Sequence, residues 1–320
     1  MVRAVSLLGF SLLAAAAPPA GAVVYYVGAF TGSTPRDDAA CGTGKGTPPA
    51  AHPCATLGFW NRDRRKILKA GDAVRLAPGT YRDTGPAAGS GHHCFLLDRW
   101  AKGVTYEGRT AGDGVLDDHE SVTVDLTGVS TNGFDGANPC QQRGIVVSRR
   151  SACEDGSFGV ELDYSGLTVR DVKIANAPRG GLELCGGPAF QSSGITLDRI
   201  RITGSPSGGT GIIGRFNNDY AARDTDCRDG GRTVRNVVVT DAEFDHNAGF
   251  PGGLQLACAD GIVIQRTRVH DVCDRADCSS CPPRGDGCND RDGINMGGAI
   301  HVVVQDSEVY QVGEDGIDVG

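Results

Sequence analysis

Val237-Val-Val-Thr-Asp-Ala-Glu-Phe244 and Ile262-Val-Ile-Gln-Arg-Thr-Arg-Val269 are one phrase written twice, apolar at the first, third and eighth places with charge between. Three more segments align with them: Leu167-Thr-Val-Arg-Asp-Val-Lys-Ile174, Ile195-Thr-Leu-Asp-Arg-Ile-Arg-Ile202 and Val302-Val-Val-Gln-Asp-Ser-Glu-Val309. Alternation that holds and then breaks within eight residues marks two short strands meeting at a corner. A further strand follows each phrase: Gly181-Leu-Glu-Leu184, Gly211-Ile-Ile-Gly214, Gly253-Leu-Gln-Leu256, Gly293-Ile-Asn-Met296 and Gly316-Ile-Asp-Val319. Alternation turns Leu182, Ile212, Leu254, Ile294 and Ile317 inward as one column, and Leu184, Leu256, Met296 and Val319 as the next. Glu183, Ile213, Gln255, Asn295 and Asp318 are left facing outward. The glycine that opens each of these strands suits a tight corner with an unusual φ.

Such units cannot bury an apolar face singly, but stacked at ~4.8 Å they build one continuous core. An antiparallel sandwich of hairpins would explain the alternation, but not why one side-chain type recurs at matched places in every unit. The expected fold class is therefore all-β: a parallel β-helix solenoid, right-handed because parallel crossovers are overwhelmingly so. One β-helix domain is expected over 23–320. Within it, 23–81 forms an N-terminal strand and cap, 82–160 irregular first coils, and 161–320 regular coils interrupted by loop inserts at 215–233 and 273–291. The cap is expected as a short helix in Ala55–Lys69, with apolar Leu57, Trp60, Ile67 and Leu68, since a solenoid must cover its open end. The last strand stops after Val319 with no covering element, so the C-terminal end is expected to be truncated.

The first residues bear on compartment. Arg3, the apolar run Val5 to Ala17 and the small residues Ala20-Gly21-Ala22 form a signal-peptide pattern over 1–22, and the run is too short to span a bilayer. Secretion, to the periplasm or beyond the cell, is expected, with no membrane partner. The 12 cysteines agree, because an even count in an oxidising compartment reads as disulfides. Cys41 with Cys54 and Cys140 with Cys153 are the local pairs, and Cys273, Cys278, Cys281 and Cys288 have room for two more bridges. The C-x-x-C among them also has zinc spacing, but nothing around it frames a metal knuckle. A net charge of −8 supplies no basic stripe, which excludes nucleic acid as partner. A monomer is expected.

Tyr25-Tyr-Val, the phrase Ala70-Gly-Asp to Pro78-Gly-Thr-Tyr81 and the repeated Asp-Gly-Ile resemble secreted bacterial β-helix proteins of the pectate lyase superfamily. Within that group, Glu314-Asp-Gly-Ile-Asp318 resembles the acidic calcium motif of polysaccharide lyase family 9. The resemblance implies an acidic-polysaccharide partner and a calcium-dependent β-elimination. It also implies a lysine base on a coil after the acidic motif, hence beyond Gly320, since Lys173 is the last lysine present.

The residues bear on the same chemistry independently. Stacking brings Asp292 beneath Asp315 and Asn295 beneath Asp318, with Glu314 alongside and Asp290 in the adjoining loop. Carboxylates gathered so closely repel unless a cation relieves them, and hard oxygen donors in that number suit Ca²⁺. Asp before Gly is also an ordinary turn residue, so corner polarity stands as the plain reading beside the metal site. His92, His93, His246 and His270 read as surface or turn residues, and His246 and His270 differ by one place within adjacent coils. The alternative function is a non-catalytic surface or carbohydrate-binding β-helix.

Overall fold

The computed structural model describes residues 21–30, 32–42, 52–82, 95–97, 99–108, 122–127, 145–147, 163–177, 181–185, 192–205, 210–213, 234–247, 252–272, 292–313 and 315–319. Its ladders between strands are parallel, and the chain winds repeatedly over three faces. The first face stacks Val24–Val27, Ala73–Leu76, Thr105–Gly108, Val234–Thr240, Asp260–Gln265 and Val303–Gln305. The second carries Gly79–Arg82, Val122–Asp125, Glu243–Asp245, Arg268–Val272 and Glu308–Val312. Thr168–Ala175 and Ser192–Thr203 run through the corner and serve both faces. The third face stacks Glu183–Cys185, Thr210–Ile213, Gly252–Ala257, Asp292–Asn295 and Ile317–Asp318. This is an all-β parallel β-helix, and the five aligned phrases pair along it residue for residue.

The core explains why the pattern was so regular. Leu167, Ile195, Val237 and Ile262 at the first place, and Val169, Leu197, Val239 and Ile264 at the third, are fully buried. So are Ile174, Ile202, Phe244 and Val269 at the eighth. Full burial of each such side chain contributes about 1.5–3 kcal/mol, so a polar residue at any of these places would open the stack.

The corners follow a second pattern. Asp171, Arg199, Asp241, Arg266 and Asp306, at the fifth place of the phrase, all have left-handed φ between 48° and 56°. That conformation costs an ordinary L-residue roughly 1–2 kcal/mol, and here the side chains answer one another up the stack. Arg199 donates to both carboxylate oxygens of Asp171 at 2.6 and 3.1 Å, and Arg266 to those of Asp241 at 2.7 Å each. Left-handed residues recur five places on, at Asn176, Gly204, His246, Asp271 and Gln311, and also just before the phrase, at Gly166, Gly194, Asn236, Gly261 and His301.

The third-face glycines have a different cause from the one expected. Gly181, Gly253, Gly293 and Gly316 do not adopt left-handed φ. At the first three a Cβ would fall closer than 3.0 Å to Ile202, Val269 and Val309 respectively. Glycine is needed there because of close approach, not because the backbone turns: the second face crowds all three, and at Gly253 and Gly293 the carbonyl of the next coil does so too. The register of Thr210–Ile213 also differs from the expected one. Ile212 pairs with Leu184 and Leu256, and Gly211 rather than Ile213 stands beside Glu183 and Gln255. A slip of two residues preserves alternation, so the period of two cannot detect it.

At the N-terminal end, Leu57–Phe59 is a turn of α-helix, continued by π-helical Trp60–Arg64 and 3-10 Arg65–Ile67. Thr56 starts it, its Oγ1 accepting from the Phe59 N–H at 3.1 Å. Leu57 and Trp60 are fully buried in the common core, with the Trp60 ring 5.4 Å from Tyr25. Cys41 and Cys54 form a disulfide, and Cys54 bridges to Val27 on the first strand. No helix among the described residues is long and apolar enough to cross a membrane.

Candidate active site

Of the residues singled out on the third face, Asp292, Asn295, Asp315 and Asp318 are described; Glu314 and Asp290 lie outside the described residues. Asn295 is in register with Asp318 and, on its other side, with Gln255. Its Nδ2 donates to Asp292 Oδ2 at 2.9 Å and to Asp318 Oδ2 at 3.0 Å, while the Asp315 N–H reaches Asp292 Oδ1 at 3.3 Å. The amide thus stands between two carboxylates. Burial, reinforced by Asp318 and Asp315 and opposed by these hydrogen bonds, raises the Asp292 pKa above its ordinary value. Gln255, 3% exposed, has an Oε1 with no hydrogen-bond partner among the described residues. A buried orphan acceptor beside Asn295 fits a hard cation. So does the equivalence of the two ends of an amide, since Asn295 turned over would add an oxygen.

The second face holds a tighter cluster. Glu243 and Asp245 flank the core residue Phe244, so both point away from the core, yet Glu243 is 8% and Asp245 0% exposed. On the preceding rung Arg201 is in register with Glu243 and donates to Asp245 through Nε at 3.2 Å and Nη2 at 2.9 Å. On the following rung Arg268 donates to Glu243 Oε2 at 3.2 Å, and His270, in register with Asp245, places Nε2 2.9 Å from Glu243 Oε1. The other His270 nitrogen lies 2.7 Å from Asp271 Oδ2, and Tyr310 on the next rung stacks on the ring at 4.8 Å. Burial alone would push the Asp245 carboxyl up; Arg201 and His246 outweigh it and hold it below the usual carboxylate range.

His246 completes the group. Its Nδ1 lies 2.7 Å from Asp245 Oδ2 while 56% of its side chain is exposed. A carboxylate at Nδ1 sets the tautomer with Nε2 free to accept a proton. Its left-handed corner backbone places it beside the rung above, 6.4 Å from His270 between ring centroids. The surface-or-turn reading holds for His246 and is corrected for His270, which is buried; the two rings, expected to be separate, meet. The signal was present, because aligning the phrases by place sets Asp245 beside His270 and Glu243 beside Arg268. Glu243, Asp245 and His270 offer ligand atoms all within 4.8 Å of one another, a distance at which a metal ion can be held. Arg201 and Arg268 already supply the positive charge, which weighs against a divalent ion there.

Cys258 is disulfide-bonded, a bridge the cysteine spacing did not suggest. Cys140, Cys153, Cys273, Cys278, Cys281, Cys288, His92, His93 and both inserts lie outside the described residues.

No family model matches the chain, and no curated protein matches it. Among solved structures, the A-module of the Azotobacter vinelandii mannuronan C-5 epimerase AlgE4 is similar to 77% of this chain and 91% of its own, at 11% identity and a TM-score of 0.19. A likeness at that score carries no argument about fold or activity. The fold rests on the ladders and core described above.

Proposed function

We propose that this chain is a secreted β-helix enzyme acting on a uronic-acid polysaccharide by β-elimination, with the second-face cluster as its reaction centre. The observation that carries this reading is the exposed His246 imidazole held at Nδ1 by the buried carboxylate of Asp245. In this reading His246 Nε2 takes the proton α to the uronate carboxylate. The electron pair left behind forms the carbon–carbon double bond as the glycosidic bond β to the carboxylate breaks. The departing sugar oxygen takes a proton from the hydroxyl of Tyr310, a residue that is 40% exposed. Arg268, half exposed beside Glu243, faces the substrate carboxylate and offsets the charge that develops on it. No lysine base is then required on a later coil.

Calcium belongs to the same reading at the third face. Asp292, Asp315, Asp318, Asn295 and Gln255 would hold it, and when bound it would supply a fixed positive charge for an acidic polymer. The experiment is an assay for unsaturated uronate ends on polygalacturonate, polymannuronate and polyguluronate, with and without Ca²⁺. Product on at least one polymer supports the reading. Binding without product points instead to a non-catalytic carbohydrate-binding β-helix.

A further inference from the structure

Two columns of outward side chains run up the second face. One reads Thr80, Thr123, Lys173, Arg201, Glu243, Arg268 and Glu308, and the other Arg82, Asp125, Ala175, Thr203, Asp245, His270 and Tyr310. Nearly every charge in these columns is answered by one on a neighbouring rung. Lys173 is the exception. It lies half-buried between the core residues Val172 and Ile174, with Thr123 in register on one side and Arg201 on the other. Like charges directly opposed on adjacent strands are destabilising. Arg201 is compensated, but toward the far side, by Asp245 and Glu243. Lys173 makes no ion pair with any described residue.

The carboxylate on the adjoining rung of this face is already committed. Asp125, diagonal to Lys173, accepts from Arg82 Nε at 2.9 Å, from Asn176 Nδ2 at 3.0 Å and from the Thr127 hydroxyl at 2.6 Å. Next to the two cations the parallel column carries only the small residues Ala175 and Thr203, in register with each other. A half-buried cation, a second cation in register and small neighbours together describe a place for an anion that no described residue provides. Lys173 lies two rungs, ~10 Å by the strand spacing, before the Asp245–His246 coil.

We propose that Lys173, with Arg201 beside it, forms a carboxylate subsite that holds a uronate of the polymer upstream of His246. This rests on the reading of the second face as the reaction centre and adds the direction of the chain: the polymer lies along the solenoid axis, crossing rungs rather than following one.

The test is binding of galacturonate and mannuronate oligomers to the full chain by calorimetry, with neutral dextran oligomers as control, for wild type, Lys173→Gln, Lys173→Met and Lys173→Arg. Lys173→Gln and Lys173→Met are expected to weaken uronate binding about tenfold, ~1.4 kcal/mol. Their melting temperature should hold or rise as the like-charge contact disappears, and Lys173→Arg should bind nearly as wild type. Arg266→Gln, on the corner between faces, should leave binding unchanged. Wild-type binding that neither neutral variant weakens would overturn the subsite while leaving the reaction centre in place. A wild type that binds no uronate oligomer would overturn both.

Discussion

The glycine at the start of each third-face strand offers a quantitative test of how the faces meet. At Gly181 a Cβ would lie closer than 3.0 Å to one methyl of Ile202, with Ile202 Cβ at 3.1 Å and Cγ1 at 3.3 Å. No backbone atom is among these neighbours, and Gly181 does not have left-handed φ. Gly181→Ala therefore carries an overpacking cost of about 1–3 kcal/mol and no conformational one. Ile202 is fully buried, so Ile202→Ala alone should cost about 2–5 kcal/mol. Independent effects would sum to about 3–8 kcal/mol. In the double variant, however, the methyl that clashes most and Cγ1 are gone, only Cβ stays close, and the new methyl partly fills the space left. The pair should fall about 1–3 kcal/mol short of the sum. Urea unfolding of the four proteins, followed by fluorescence and circular dichroism together, measures this. Additivity within about 0.5 kcal/mol would refute the close-approach explanation.

Three further outcomes follow from particular side chains. Glu107, buried between Arg75 and Arg170, has a pKa lowered from 4.5: burial would raise it, and the two guanidiniums outweigh burial. The folded state thus binds fewer protons than the unfolded one below that value. Its stabilisation is complete above about pH 4.5 and is lost as pH falls toward the folded pKa, so Glu107→Gln should flatten the acid limb of a melting-temperature curve. Calcium at a hundred times its Kd should stabilise the wild type by about 2.7 kcal/mol. Asp318→Asn should abolish that shift in a thermal melt, and a wild type insensitive to millimolar Ca²⁺ would remove the third-face site. Replacing Cys41 and Cys54, 13 residues apart, by serine should cost about 2–4 kcal/mol in denaturant unfolding.

Much of the fold was legible because its determinants are local and periodic. The first, third and eighth places of each phrase are core positions, and the ladders pair them in the order in which they align. What escaped was set by relations across rungs. The two-residue shift at Ile212 leaves alternation intact, and the glycines answer to Ile202, Val269 and Val309, side chains distant in sequence. The acidic motif drew attention because its carboxylates are adjacent in the chain. Arg201, Glu243, Asp245 and His270 belong to three successive turns, and only stacking unites them. The stacking itself was readable from the repeats, and with it the outward columns of the second face, one through Arg201, Glu243 and Arg268 and the other through Asp245 and His270.

The most direct measurement is the turnover of wild type, His246→Ala and Asp245→Asn on whichever uronan yields unsaturated ends, with circular dichroism confirming that each variant is folded. Loss of a positioned general base should lower kcat about 10²–10⁴-fold in His246→Ala. Asp245→Asn should also fall, because the amide no longer sets the imidazole tautomer. A folded His246→Ala protein that keeps kcat within about twofold of wild type would contradict the assignment of the second face as the reaction centre.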